Sequence, residues 1–206
     1  MSTMDSSGPD PKPAAARKSN LPLYLILLVS VAPFIGSVAL YLFWRPDSFV
    51  NYGELLDPTP LAEVAVAQTD GNTFRFADLR GKWVYVMADS SSCDEHCRQK
   101  LYYMRQVRLT QGKEQHRIER VWLVTDGKKP APDLSSEYAG TYEVLLADRS
   151  ILARMPAPAD ATDHIFIVDP VGNLMMRYPP DPDPSRMKRD IGRLLRVSAG
   201  WVQVEQ

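Results

Sequence analysis

One uncharged segment near the N-terminus constrains this chain more than any other feature. Residues 21–44 (LPLYLILLVSVAPFIGSVALYLFW) are 24 consecutive residues without a charged side chain. A helix of about 20 apolar residues spans the hydrocarbon core of a bilayer. We therefore expect residues 21–44 to form one transmembrane helix that anchors the protein in the lipid bilayer. A cleaved signal peptide is the alternative, but its apolar region is typically only about 7–15 residues long.

The basic residues around this segment predict its orientation. Lys12, Arg17 and Lys18 precede it and only Arg45 follows closely, which favours a cytoplasmic N-terminus. Residues 1–20 are rich in Ser, Pro, Ala and charge and should form a disordered cytoplasmic tail. We expect a single-pass protein of the inner (plasma) membrane. In a bacterium its C-terminal domain would face the periplasm, where thiols can form disulfides.

The composition of the whole chain is that of a globular protein. Of its 206 residues, 45% are hydrophobic and 24% charged, and 24 basic against 25 acidic residues give a net charge of -1. Without a basic stripe, nucleic acid is not an expected partner. No motif of a serine hydrolase or a phosphate-binding loop occurs. We expect residues 45–60 to be a proline-punctuated linker and residues 61–206 to be the folded domain.

The hydrophobic pattern of residues 61–206 predicts alternating strands and helices. The expected strands are residues 62–67, 73–76, 83–88, 120–125, 143–147, 164–168 and 174–178. The expected helices are residues 93–111, a short stretch at 134–138, and one that begins at Asp183-Pro184. This order predicts an α/β fold, a mixed sheet flanked by helices, with a parallel crossover between residues 83–88 and 120–125.

The two cysteines of the chain, Cys93 and Cys97, follow the strand at residues 83–88. Reactive groups of α/β folds collect at the carboxyl ends of parallel strands. The N-terminus of the predicted helix favours the thiolate form of both cysteines, whereas Asp94 and Glu95 oppose it. A disulfide across four residues constrains little chain entropy. The pair therefore indicates redox chemistry or metal binding rather than a structural crosslink.

Two thiolates suit a soft ion such as Cu(I), and an imidazole would complete a trigonal site. The polar surroundings of His116 predict a surface position, and His96 should point away from the face that bears the cysteines. His164 stands at the start of a strand that we expect to pass close to the cysteine helix. It is therefore either a third metal ligand or a partly buried histidine bonded to a carbonyl group.

Four segments make the chain resemble the Sco/SenC family of the thioredoxin-like superfamily. They are Asp78-Leu79-Arg80-Gly81-Lys82, Cys93-x-x-x-Cys97, residues 121–126 (VWLVTD) and residues 166–172 (FIVDPVG). The resemblance implies a thioredoxin-like fold and a membrane-anchored copper protein. Such a protein delivers copper to the CuA subunit of cytochrome c oxidase or reduces the cysteines of that centre.

Only some of the residues that bind copper in this family have a match in this sequence. Cys93 and Cys97 match the family pattern. The family histidine lies about three residues upstream of His164, where this chain has Ala161. The proline that usually follows the first cysteine is replaced by Asp94. A shift of three residues along an extended chain is about 10 Å and changes the face of the strand.

Three functions remain open from the sequence. The first is a copper chaperone for oxidase assembly that holds Cu(I) with Cys93, Cys97 and His164. The second is an enzyme, a thiol–disulfide oxidoreductase in which the more exposed Cys93 attacks and Cys97 resolves. The third is an assembly factor whose cysteines are incidental. An imidazole of His164 within about 4 Å of both sulfurs would favour the chaperone, and one that points into the core would favour the oxidoreductase.

Overall fold

The computed structural model describes residues 20–43 and 51–203. Contacts divide the chain into two compact units, residues 1–49 and residues 50–206. The first contains helix α1 (Leu21–Phe43), with Pro33 inside it. Within the described ranges, no helix has the length and apolar character needed to cross a membrane. The membrane span proposed for residues 21–44 thus remains a prediction, and residues 1–19 of the predicted tail lie outside the described residues.

The second unit is built on a mixed sheet of six strands in the order β1-β8-β7-β4-β5-β6, beside a small hairpin of β2 and β3. The strands are β1 (Glu54–Pro60), β2 (Ala65–Ala67), β3 (Thr73–Arg75), β4 (Trp83–Asp89), β5 (Ile118–Val124), β6 (Tyr142–Leu145), β7 (Ile165–Val168) and β8 (Asn173–Arg177). Strands β4, β5 and β6 are parallel, whereas β7 runs antiparallel to β4 and β8. This arrangement confirms the predicted α/β fold with a mixed sheet.

Among residues 51–203, three α-helices accompany the sheet: α2 (Glu95–Leu109), α3 (Pro132–Glu137) and α4 (Pro184–Val197). Asp94 caps α2 and Asp183 caps α4, each with a side-chain oxygen that accepts a backbone N–H of the first turn. Pro184 occupies the first helical position of α4, where the backbone N–H that proline lacks would have no partner within the helix. Helix α2 connects β4 to β5 as the expected parallel crossover.

The two faces of the sheet carry different cores, because successive side chains of a strand point to opposite sides. We call one the disulfide face, because both cysteines pack there with aromatic, aliphatic and methionine side chains. The other is the aliphatic face, formed mainly by Val, Leu and Ile with Phe76 and Phe166. Strand β4 is buried on both sides from Trp83 to Ala88, which explains its continuous apolar sequence.

Several predicted boundaries differ from the structure, and two of the differences have a clear physical reason. Residues 54–60 were expected in the linker but form β1, an edge strand paired with β8. An edge strand tolerates Pro58 and Pro60 because one of its sides makes no ladder hydrogen bonds. The helix expected from Cys93 begins at Glu95, because Asp94 serves as its cap and accepts the N–H of Cys97 at 2.9 Å.

Candidate functional site

A tight turn carries the chain from β4 to the cysteine helix. The backbone N–H of Cys93 donates to the carbonyl oxygen of Ser90 at 3.2 Å. Cys93 has a φ of +39°, and no other residue except glycine in the described ranges has a positive φ. This left-handed conformation is uncommon for a residue with a side chain. It places Cys93 one residue before the cap of α2, outside the helix that contains Cys97.

Cys93 and Cys97 are joined by a disulfide, with their Cα atoms 5.1 Å apart. The predicted thiol pair is therefore close enough to exchange between a dithiol and a disulfide. The exposed fraction is 2% for Cys93 and 0% for Cys97. The expectation that Cys93 is clearly the more exposed cysteine is not met. Cys93 still differs in lying on a loop, whereas Cys97 is fixed inside α2 beside Leu101 and Met104.

Asp126, which follows β5, holds the loop before Cys93. Its carboxylate accepts the backbone N–H of Ser91 at 3.1 Å and the hydroxyl of Ser91 at 2.7 Å. Burial by itself would raise the pKa of Asp126, but the hydrogen bonds from Ser91 and Lys128 outweigh it and leave that pKa below its usual range. The neighbouring parallel strand thus positions the cysteine loop through one ionised carboxylate.

A buried lysine connects the cysteine helix to two other segments. Lys100 on α2 is 1% exposed, and its ammonium donates to the Asp89 carboxylate at 2.8 Å and to the Thr162 carbonyl. Asp89 ends β4 on the disulfide face. Thr162 lies two residues before His164, in a short 3-10 helix (Ala161–Asp163). Lys100 therefore fixes the cysteine helix to the strand before the cysteines and to the segment that leads to His164.

His164 is buried, with 4% exposure, and its Nδ1 is 2.7 Å from the carbonyl oxygen of Tyr178. The register pairs Met87 with Ile165, which places His164 next to the carboxyl end of β4. Its ring packs edge-on against Phe166, at 6.0 Å between ring centroids. Because Phe166 belongs to the aliphatic face, the imidazole lies with the core opposite the cysteines.

The structure does not assemble the predicted ligand set Cys93, Cys97 and His164. The described residues contain no group of three histidine, cysteine or acidic side chains that could hold a metal ion. The physical reason is the one-residue alternation of strand side chains, which directs His164 to the same side as Phe166. His164 instead adopts the other role considered from the sequence, that of a buried histidine bonded to a carbonyl.

The remaining histidines lie at the surface or close to it. His116 is exposed as expected, and its Nδ1 is 2.7 Å from the Lys113 carbonyl. His96 is half-buried, with Nε2 at 3.0 Å from the Pro180 carbonyl. His96 therefore connects the start of α2 to the segment between β8 and α4, a contact that its sequence position did not indicate.

This arrangement can support two kinds of chemistry. Reduction of the disulfide would yield two thiols at the start of α2, and a loop cysteine paired with a helical cysteine is suited to thiol–disulfide exchange. Two thiolates could also bind a soft metal ion. Sequence reasoning found both cysteines but missed Lys100, Asp89 and Asp126. Their one sequence signal is that Asp89 and Asp126 both follow apolar strand runs.

Solved structures with the same fold include two Sco1 proteins. The apo Sco1 protein of Thermus thermophilus is 18% identical, with a TM-score of 0.50, and the match covers 73% of this chain and 99% of that one. Yeast Sco1 with copper bound is 14% identical, with a TM-score of 0.53, and the match covers 68% and 95%. Identities this low establish the fold alone.

A thiol:disulfide interchange protein of the thioredoxin family from Chlorobium tepidum is 20% identical, with a TM-score of 0.48 and coverage of 69% and 97%. No curated protein matches the sequence. A family model described as "Transmembrane-like, thioredoxin-like, C-terminal domain" matches residues 83–198, which is more than half of the chain. The match begins at β4, includes both cysteines and ends after α4. The chain therefore belongs to this family of transmembrane-like proteins with a thioredoxin-like C-terminal domain.

Proposed function

We propose that this protein is a membrane-anchored thiol–disulfide oxidoreductase whose active pair is Cys93 and Cys97. The observation that supports this most is the disulfide between a loop cysteine and a helical cysteine at the carboxyl end of β4. His164, which a copper site would need, is bonded to the Tyr178 carbonyl and packs against Phe166 of the aliphatic face, and the described residues contain no three-ligand group. The geometry therefore favours exchange of electrons over storage of a metal ion.

The reduced protein would act by two successive thiolate attacks. The Cys93 thiolate attacks one sulfur of a partner disulfide, a mixed disulfide forms, and the first partner thiolate leaves. The Cys97 thiolate then attacks the Cys93 sulfur, which re-forms the Cys93–Cys97 bond and releases the second partner thiolate. The partner gains two electrons and two protons in total, and a dithiol reductant must restore the starting state.

Both sulfurs are buried in the oxidised protein, so reduction requires the loop before α2 to open. Cys93 is the residue that such opening would expose, because it lies outside the helix. Cys97 is retained by its backbone bond to Asp94 and by packing on the disulfide face. This division matches the roles of attacking and resolving cysteine.

The cellular setting of the proposal comes from the sequence and from the resemblance to the Sco/SenC family. Residues 21–44 would anchor the chain in the inner membrane, with the N-terminus in the cytoplasm and the thioredoxin-like domain in the periplasm. The substrate would be the oxidised cysteines of the CuA subunit of cytochrome c oxidase, or those of another exported protein. The membrane part rests on the 24 uncharged residues rather than on the described helix.

Delivery of Cu(I) to the CuA subunit is the second candidate, and one observation favours it. A carbonyl oxygen only accepts, so Nδ1 of His164 must be the donor to Tyr178. In the neutral imidazole, Nε2 then has the free lone pair that a metal requires, held in a fixed orientation. As cargo, Cu(I) would bind to the reduced Cys93 and Cys97, and His164 could join only after the segment at residues 161–164 has moved.

Two measurements on the purified full-length protein in detergent separate these functions. The first is the equilibrium between dithiol and disulfide in glutathione or dithiothreitol buffers, together with reduction of a peptide disulfide. The second is an anaerobic Cu(I) competition titration of the reduced protein. Variants Cys93→Ser, Cys97→Ser and His164→Ala are compared with His116→Ala, a surface histidine control.

The oxidoreductase predicts a reversible disulfide, peptide reduction that both serine variants abolish, and no effect of His164→Ala on that reaction. The copper chaperone predicts one tightly held Cu(I), lost in both serine variants and held less tightly in His164→Ala but not in His116→Ala. A disulfide that buffers cannot reduce without unfolding the protein would overturn both functions and leave the cysteines as a structural pair.

A further inference from the structure

Helix α4 presents a strongly basic face to solvent. Five of its 14 residues are basic, although the whole chain has a net charge of only -1. They are Arg186, Lys188, Arg189, Arg193 and Arg196. All five lie on the exposed or half-buried side of the helix, whereas Met187, Ile191 and Leu195 face the core. The acidic residue within α4, Asp190, is 1% exposed and therefore adds little negative charge to the outer surface.

Helix α4 also binds residues 52 and 53, which lie at the start of the second unit. The carboxylate of Asp190 accepts the backbone N–H of Tyr52 at 2.9 Å and of Gly53 at 2.9 Å. The Tyr52 hydroxyl accepts the backbone N–H of Asp183 at 3.0 Å, and the guanidinium of Arg186 lies 4.7 Å from the Tyr52 ring centre. Tyr52 is thus fixed to α4 from two sides.

Tyr52 follows Trp44, the last residue of the uncharged segment, by only eight positions. Eight residues extend over at most about 29 Å. In the function proposed above, residues 21–44 cross the bilayer and residues 45–51 form a short tether to the domain. Helix α4 is the helix that binds the first residues after this tether. A short tether keeps a weakly attracting surface at high effective concentration near the membrane.

We propose that the basic face of α4 binds anionic phospholipid headgroups of the membrane in which the protein is anchored. Cationic side chains near such a surface are attracted by its negative potential. The tether supplies proximity and the five basic residues supply the complementary charge. Binding would hold the domain against the bilayer through α4.

The test is amine footprinting of the full-length protein in nanodiscs. One set of nanodiscs contains phosphatidylcholine alone, and the other also contains about 30% phosphatidylglycerol. Acetylation rates are measured by mass spectrometry at Lys188 on α4 and at Lys128 and Lys129, which are exposed on the loop after β5. The double variant Arg189→Gln/Arg196→Gln is compared with Arg75→Gln/Lys113→Gln, which loses the same charge from exposed positions elsewhere.

We expect the anionic lipid to slow acetylation of Lys188 about threefold or more while Lys128 and Lys129 stay unchanged. The protection should be lost between about 0.05 M and about 0.5 M salt, because salt screens the attraction. It should also weaken in Arg189→Gln/Arg196→Gln but not in the control variant. Equal rates at Lys188 in both nanodiscs would overturn the proposal and leave an acidic protein as the partner of this face.

A separate experiment tests whether residues 21–44 anchor the protein in the membrane. If alkaline carbonate releases the full-length protein from membranes, residues 21–44 are not a membrane span and that part of the proposed function is wrong. Protein that stays in the membrane with unprotected Lys188 contradicts only the proposal about α4. Salt-sensitive protection of Lys188 in a protein that resists carbonate supports both.

Discussion

The two faces of the central sheet are equally well buried but chemically different. The aliphatic face is packed from Val, Leu and Ile with a few aromatic side chains and has no cysteine. The disulfide face buries the Cys93–Cys97 bond together with tryptophan, tyrosine and methionine side chains. Around that face lie Lys100 at 1% exposure and Asp190 at 1%. The aliphatic face thus serves stability, whereas the disulfide face also carries groups that can react or ionise.

This difference explains why His164 is poorly placed to bind a metal ion together with the cysteines in the oxidised protein. Its ring packs against Phe166 of the aliphatic face, and the described residues contain no three-ligand group that includes it. A copper site of three ligands would require the segment at residues 161–164 to change its position. Lys100 opposes that movement because its ammonium donates to the carbonyl of Thr162.

The largest effect should come from Lys100→Met, which removes the buried cation that pairs with Asp89 at the end of β4. Asp89, with a side chain only 18% exposed, would lose its ionic partner. Removing one member of a buried ion pair costs about 3–5 kcal/mol. We therefore expect the free energy of unfolding, measured in urea, to fall by about that amount.

Two further variants sharpen this prediction. In Lys100→Met/Asp89→Leu neither charge remains, so part of the loss should be recovered. Lys113→Met removes an exposed lysine and should change stability by less than about 0.5 kcal/mol. If Lys100→Met is no less stable than Lys113→Met, Lys100 is not the fixed buried cation described above.

Neighbouring residues of β4 allow a direct comparison of the faces. Val86 and Met87 are both 0% exposed, but Val86 belongs to the aliphatic face and Met87 to the disulfide face. Truncation of either to alanine should destabilise the protein by about 2–3 kcal/mol through loss of packing. Only Met87→Ala should also speed reduction of the disulfide by dithiothreitol, because it loosens the core around the sulfurs.

The reduction rate is measured under conditions where both variants remain folded, with unfolding rates determined in parallel. Equal acceleration in Val86→Ala and Met87→Ala would show that reduction proceeds through global unfolding. The two faces would then be equivalent with respect to the disulfide. Acceleration in Met87→Ala alone would place the opening on the disulfide face.

Much of the fold could be predicted from the sequence because its central elements have strong local signals. Strand β4 is a continuous apolar run, and α2 has apolar residues at helical spacing. Strand β1 was not predicted because Pro58 and Pro60 resemble a linker, and its pairing with β8 depends on residues more than 100 positions away. Such pairing is not encoded in local periodicity.

The site was less predictable than the fold. The spacing of Cys93 and Cys97 indicated a pair, but the side of the sheet to which His164 points depends on a register of one residue. Lys100 occurs in a polar stretch, and lysine is seldom fully buried. Its burial follows from the position of Asp89 at the end of β4 and of Thr162 on another segment, which only the folded structure brings together.

Arg120 offers a smaller effect of opposite sign on the disulfide face. Its side chain points to the same side of β5 as those of Ile118 and Trp122, and it is 3% exposed. Within the described residues, Nε and Nη1 have no hydrogen-bond partner, and Nη2 donates to the Ala139 carbonyl at 2.8 Å. Burial, and then the nearby charges of Arg108 and Arg105, lower the pKa of Arg120 to about 10.

Because this charge is buried at a net cost, Arg120→Met should raise the free energy of unfolding by about 1 kcal/mol. Arg80→Met is a suitable control, since Arg80 is exposed and its ion pair with Glu63 lies at the surface. The control should have little effect on stability. A loss of stability in Arg120→Met would mean that its bond to Ala139 outweighs the burial of charge.

Asp126→Asn should have the smallest effect on stability, because Asp126 is exposed. The pKa of Asp126 is lower in the folded protein than its ordinary value of 3.8. The carboxylate therefore stabilises the folded protein when the pH is above 3.8, and this contribution is lost as the pH falls through the pKa of the folded state. At neutral pH we expect a loss below about 1 kcal/mol. The difference from the unchanged protein should shrink below pH 3.8, where the carboxylate becomes protonated.

The more informative readout for Asp126→Asn is the cysteine loop. The two hydrogen bonds from Ser91 fix the segment before Cys93, so their weakening should increase amide exchange at Ser91 and the rate at which dithiothreitol reduces the disulfide. Asp148→Asn is the control, because the carboxylate of Asp148 also accepts a backbone N–H, that of Ser150, but on another loop. If both variants leave the reduction rate unchanged, opening of the disulfide is limited by the core beneath it and not by the loop above it.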